Sequence, residues 1–193
     1  MMQRIFLLLL FSLVYSPILL AETSSKGFVF FPVTDSSFEM KPSLSKISGA
    51  VTIPEGNLDS TTVGKMDLQG VELQLDCPWF QFGANPLRQQ ISYSTYTQEG
   101  FDMSSFEINP NYIMTTDSRL IGLGFGPGFG GLRHKNKTTG ETETFMTLQF
   151  SASLSLNLGF LHLGLEQRKQ RSQVEGQKYW DNNRKIFKVG INF

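Results

Sequence analysis

The chain has 193 residues, the length of one domain, and its 17 basic side chains balance 17 acidic ones. That balance sets up no global field to recruit nucleic acid, and the single cysteine, Cys77, excludes an internal disulfide. After the first 21 residues no apolar run approaches the ~20 residues a membrane helix needs. Strands that alternate, and so hide their hydrophobicity from averaging, are left open.

Residues 1–21 have the three-part build of a signal peptide: a short basic flank with Arg4, an apolar run from Ile5 to Val14, and a terminal stretch with Pro17 and Ala21. The cut is expected after Ala21, with no cysteine nearby to carry a lipid. Residues 22–43 contain Phe28, Phe30 and Phe31 with prolines at 32 and 42, and read equally as a leader, a short plug or the start of a first strand. Residues 44–193 are the folded body.

From Leu44 onward a period of two recurs. Ile47, Gly49, Val51 and Ile53 alternate with Lys46, Ser48, Ala50 and Thr52, and turn formers from Pro54 to Asn57 follow. Val71, Leu73, Leu75 and Cys77 alternate with Glu72, Gln74 and Asp76. Met66 and Leu68 lie on the opposite parity, which places a β-bulge at Gly70, and Pro78–Trp79–Phe80 reads as a turn. Ile91, Tyr93 and Thr95 mark a third strand. Phe106, Ile108, Tyr112 and Met114 mark a fourth, alternating with Glu107, Asn109 and Asn111 and weakened or bent by Pro110. In the fifth, Ile121, Leu123, Phe125 and Phe129 alternate with Gly122, Gly124, Gly126 and Gly128. With no helix pattern or Lys-Ser/Thr pair after them, these glycines read as inward space in a narrow barrel rather than as a phosphate loop.

The clearest run is Met146–Leu158. Met146, Leu148, Phe150, Ala152, Leu154, Leu156 and Leu158 are apolar, and every residue between them is polar or small. Only a strand puts alternate side chains on opposite faces, and one of this length, when tilted, crosses hydrocarbon that requires ~9–11 residues. After a reversal at Gly159–Phe160 come Leu161, Leu163 and Leu165, and the last strand holds Phe187, Val189, Ile191 and Phe193. The expected fold is all-β: an eight-stranded antiparallel up-and-down transmembrane barrel. The expected links after odd strands are Pro54–Gly64, Gln98–Met103, Gly130–Glu143 and Gln170–Asn183, mostly long. Those after even strands, Pro78–Pro86, Thr115–Ser118 and Asn157–Gly159, are mostly short, the asymmetry of barrels whose short turns face the periplasm.

The terminal Phe193, with Ile191, Val189 and Phe187 at alternate positions and Tyr179–Trp180 in the loop before, resembles the carboxy-terminal signature of bacterial outer-membrane proteins. With the signal peptide and eight strands, the body resembles the small barrels typified by the OmpA membrane domain, OmpX and OmpW. The resemblance implies a bacterial outer-membrane location, a periplasmic side for residues 22–43, and a terminal strand read by the barrel-insertion machinery. It also implies contact with outer-membrane lipids and lipopolysaccharide, and a monomer. No residue string selects one family.

On the expected inward faces lie Glu72, Asp76, Glu107 and Glu166 with Lys46, Arg168 and Lys188. Charges withdrawn from water need partners, so these are expected to pair and plug the lumen, or, if the pairs can rearrange, to gate a narrow channel or a path for a small hydrophobic ligand. The lipid-facing set is Met146, Leu148, Phe150, Leu154, Leu156, Leu161, Leu163, Leu165, Phe187, Val189 and Ile191. Trp79, Phe80, Phe82 and Tyr112 are expected at one interface and Tyr179 and Trp180 at the other.

The only histidines are His134, read as part of a solvated basic loop, and His162, read as an inward hydrogen-bonded residue opposite Ser155. Neither converges with a nucleophile or with a second metal ligand, so no enzyme, cofactor or metal is expected. The long loops carry Arg133, Lys135, Lys137, Lys169, Arg171, Lys178, Arg184 and Lys185, and read either as solvated surface or as an adhesive one. A soluble lipocalin-like barrel, with the leucines turned inward around a pocket, is the rival fold.

Overall fold

The computed structural model describes residues 42–52, 65–82, 85–98, 101–115, 120–173 and 179–193. Residues 1–21 and 22–41, and with them the expected signal peptide and leader, lie outside the described residues, as do the side chains of Trp79, Phe80, Phe82, Tyr179 and Trp180. Eight strands follow one another: β1 (Ser43–Thr52), β2 (Lys65–Phe82), β3 (Asn85–Gln98), β4 (Phe101–Thr115), β5 (Ile121–Asn136), β6 (Thr142–Leu158), β7 (Leu161–Gln173) and β8 (Tyr179–Asn192). Each pairs antiparallel with its successor, and β8 pairs with β1, so the sheet closes and has no edge.

The stagger follows from the register. A rung starting at Leu161 passes through Ile191, Leu44, Leu73, Ile91, Ile108, Phe129 and Leu148 and returns to β7 at Arg171, ten residues further along. Strands so staggered tilt by ~35–45° and enclose only enough room for side chains or one small ligand. One end of the barrel carries the connections β1–β2, β3–β4, β5–β6 and β7–β8; the other carries the remaining turns and both described chain ends. There the Phe193 N–H donates to the Pro42 carbonyl at 3.0 Å. The β6–β7 turn places Gly159 at φ 63°, a left-handed conformation glycine adopts without penalty.

Several local expectations are corrected. The β1–β2 register is continuous through Gly70, so no bulge lies there. Met66 and Leu68 are buried on the same inward face as Glu72 because the interior itself changes from apolar to polar along the strand. Ile47 and Val51 are likewise inside, fully buried, and Lys46 is therefore outside, exposed between Val71 and Val189 rather than in the lumen. Pro78–Trp79–Phe80 is part of β2, and the irregularity falls between Asp76 and Gln81, where the register with β3 shifts. Pro110 interrupts β4–β5 pairing without changing its register: ladder partners resume from Ile108–Phe129 to Tyr112–Phe125, and the intervening stretch sets Pro110 against Pro127, neither with an N–H to donate.

The long loops also shrink. β5 runs on to Asn136 and β6 starts at Thr142, while β7 runs to Gln173 and β8 starts at Tyr179. Beyond the apolar zone both faces of a strand meet polar surroundings, so alternation ends before the ladder does. The β5–β6 turn is held by the Asn136 side chain, whose Oδ1 accepts from Thr138 N–H at 2.8 Å and Thr139 N–H at 3.2 Å.

Candidate functional site

The interior has two zones. Near the loop end Ile47, Val51, Met66, Leu68, Tyr96, Met103, Leu132 and Ile186 form a buried apolar cluster drawn from six strands. Beside it, toward the chain ends, lies a charged brace. Arg168 on β7 is buried at its centre. Its Nε donates to Glu166 at 2.6 Å, Nη2 to Glu72 on β2 at 3.3 Å, and Nη1 to Glu107 on β4 and to Ser92 on β3 at 3.0 Å. A guanidinium suits this position because its planar fork aims several donors at once and keeps its charge.

Arg184 on β8 donates to Glu107 and Gln170, and to the Tyr96 hydroxyl at 3.2 Å, with its guanidinium carbon 5.1 Å from the Tyr96 ring centre. Lys188 donates to Glu72 and lies 2.5 Å from Glu166. Three carboxylates thus meet three cations, all essentially removed from solvent. A buried charge left single would cost several kcal/mol, roughly 3–5 for a broken pair; a neutral, cross-bonded set avoids that. Gln170 extends the set to Glu107 at 3.1 Å and accepts from Asn182 at 2.7 Å.

Of the expected lumen residues, Glu72, Glu107, Glu166, Arg168 and Lys188 come together in this brace. Asp76 is inside but apart, toward the chain ends, 3.3 Å from Arg88, a pair the sequence reading did not single out. Lys46 is excluded by its outward face. Arg184, read as a loop cation, is buried in the brace; its parity, shared with Lys188, was the available signal.

His134 is not in a loop but on β5, half-buried, where burial holds its imidazole below the usual pKa. His162 is buried, its Nδ1 2.8 Å from Asn157 Oδ1, with Asn157 rather than Ser155 across the ladder. Among the described residues no group of three His, Cys, Asp or Glu side chains could hold a metal ion.

Outside, apolar side chains stand exposed around the wall, among them Leu148 at 56%, Phe150 at 55%, Leu165 at 55% and Ile191 at 51%. Met146, Leu154, Phe187 and Val189 are exposed, and Leu156, Leu161 and Leu163 are part-exposed on the same outer face; Phe193 is exposed at the chain end. A soluble barrel with leucines around a pocket is the inverse arrangement, and the serines of β6 take the interior positions instead. An exposed apolar surface this continuous is stable only against an apolar partner, since each Å² left in water forgoes ~25 cal/mol.

A closed, wholly antiparallel barrel of eight strands, apolar outside and ion-paired within, has the fold of the small bacterial outer-membrane barrels of the OmpA and OmpX type. Among solved structures the chain is similar to Neisserial surface protein A (NspA), with TM-score 0.56 and 13% identity over 80% of this chain and 97% of that one. It is also similar to the N-terminal β-barrel domain of Pseudomonas aeruginosa OprF, with TM-score 0.53 and 12% identity over 80% of this chain and all of that one. No protein-family profile matches the chain, and no curated protein matches it by sequence. At such identities the likeness concerns the fold alone.

Proposed function

We propose that the chain is an integral protein of a bacterial outer membrane with a structural or surface-interaction role, and that its lumen is plugged. The observation that carries this reading is Arg168, bonded inside the barrel to carboxylates from β2, β4 and β7, beneath an outer wall of exposed leucine, phenylalanine and valine. A narrow barrel filled by side chains supports a closed, rigid cylinder. Residues 1–21 are removed on export, the loop end faces outward, and the chain ends face the periplasm. Lipids and lipopolysaccharide surround a monomer inserted through the strand that ends at Phe193. The protein acts on no substrate and binds no nucleic acid, cofactor or metal.

Fractionation of cells expressing the full chain, followed by electrophoresis with and without boiling, tests the location. A folded membrane barrel is expected in the outer-membrane fraction with heat-dependent mobility; recovery in the soluble fraction with unchanged mobility overturns the reading. Planar bilayers test the plug, with no steady conductance expected from the native chain.

A further inference from the structure

The apolar wall is not uniform, and its boundary steps down sharply between two neighbouring strands. On β6 the outward apolar run extends from Leu158 to Met146, yet directly across the ladder Phe150 faces Lys169 and Leu148 faces Arg171. On β8 the run likewise stops at Phe187, with Lys185 next on the same face. Below that step the wall is hollowed. Ala152 stands between Phe125 on β5 and Gln167 on β7, and Gln167 faces Lys185. A small side chain among large ones leaves an open groove of about 620 Å³, lined by Phe125, Ala152, Leu154, Leu165 and Phe187 with Lys185 at its rim toward the loop end.

That volume lies within the ~300–1,000 Å³ of small-molecule sites, but the groove opens sideways, toward whatever covers the wall. Lys169 and Lys185 are both exposed and are diagonal neighbours across the β7–β8 ladder, ~7–8 Å apart by sheet geometry. Neither has a carboxylate partner among the described residues; along the rung from Lys185 the next outward carboxylate is Asp67, beyond β1. Two exposed cations above an apolar channel match one kind of molecule, an amphiphile with chains below and phosphate above.

We propose that this groove and the two lysines seat a phosphorylated lipid of the outer leaflet, one acyl chain lying over Ala152 and its headgroup phosphates on Lys169 and Lys185. The site rests on the outer-membrane reading, which puts the loop end, and so the lysines, on the external side. The step in the wall is then part of the site: headgroups are drawn down toward β7 and β8 where the apolar run is short.

The test uses the full chain purified in mild detergent and examined by native mass spectrometry with added bisphosphoryl lipid A, monophosphoryl lipid A, phosphatidylglycerol or phosphatidylcholine. Bisphosphoryl lipid A is expected to be retained in preference to the others. Lys169→Glu with Lys185→Glu should weaken retention by about thirtyfold or more, each lysine near an anionic lipid surface being worth about fivefold. Ala152→Phe, which fills the groove and keeps both charges, should lower retention of every lipid form alike.

Heat-dependent mobility of each sample reports whether the barrel has formed, and Lys169→Ala with Lys185→Ala replaces the charge reversal if that variant does not fold. Equal retention by native and charge-reversed barrels overturns the site while leaving the membrane reading intact. Equal retention of phosphatidylglycerol and lipid A overturns the outer-leaflet assignment. A native chain without heat-dependent mobility overturns both.

Discussion

Arg168 and Lys46 are two cations on opposite sides of the barrel wall. Arg168 is enclosed and answered by three carboxylates, so removing it leaves Glu72, Glu107 and Glu166 facing only Arg184 and Lys188. Arg168→Met is expected to lower the unfolding free energy by roughly 3–5 kcal/mol, read from denaturant unfolding in lipid vesicles. Adding Glu166→Gln restores the balance of two against two, and the double variant should regain part of the loss; full additivity of the two changes would contradict a shared network. Lys46 has no such answer. It stands on the outer face between Val71 and Val189, one step from Leu44, where its stem can lie along apolar neighbours while its ammonium reaches for a polar level. Lys46→Leu should therefore stabilise the barrel by roughly 1–2 kcal/mol, between the interfacial and midplane costs of a lysine on a barrel's lipid face. A neutral or destabilising result would show that a polar partner covers this position.

The strands were legible in proportion to how different their two faces are. From Met146 to Leu158 β6 separates apolar from polar completely, and its pattern alone defines its faces. β1 and β2 do not, because Ile47, Val51, Met66 and Leu68 are as apolar as any outward residue yet fill the interior. Period-two reading assumes a polar inside, so it places Ile47 outward and Lys46 inward and needs a bulge to explain Met66 and Leu68. Arg184 escaped for a different reason: it follows a polar stretch, and nothing local separates a strand that has run past the apolar wall from a loop.

β5 shows an element whose pattern was read for the right cause. A Cβ added at Gly126 would overlap the Pro110 carbonyl oxygen of the neighbouring backbone and crowd the Asn111 carboxamide, whereas one added at outward Gly131 meets nothing. Gly126→Ala should destabilise by roughly 1–3 kcal/mol through forced backbone shift, and Gly131→Ala should stay within about 0.5 kcal/mol, both by denaturant midpoint. Equal effects would mean that the glycines serve curvature alone.

At the scale of the whole barrel, the proposed plug consists of two materials that would fail in different ways. The brace of Glu72, Glu107, Glu166, Arg168, Arg184 and Lys188 blocks by filling space with bonded charge, and its loss would leave a polar, wettable stretch. The cluster nearer the loop end, with Val51, Met66, Leu68, Tyr96, Met103 and Leu132, blocks by excluding water, and an apolar constriction resists ions even when it is not sterically sealed. Resistances in series add, so opening one leaves the other in control. Arg168→Ser alone and Met66→Ser with Leu68→Ser alone are each expected to give planar-bilayer traces as silent as the native protein, and only the combined variant should pass steady current. If Arg168→Ser conducts by itself, the apolar layer is no barrier and closure resides in the brace. If the serine pair conducts by itself, water and ions already thread past Arg168 in the native barrel, and the brace stiffens the cylinder without sealing it.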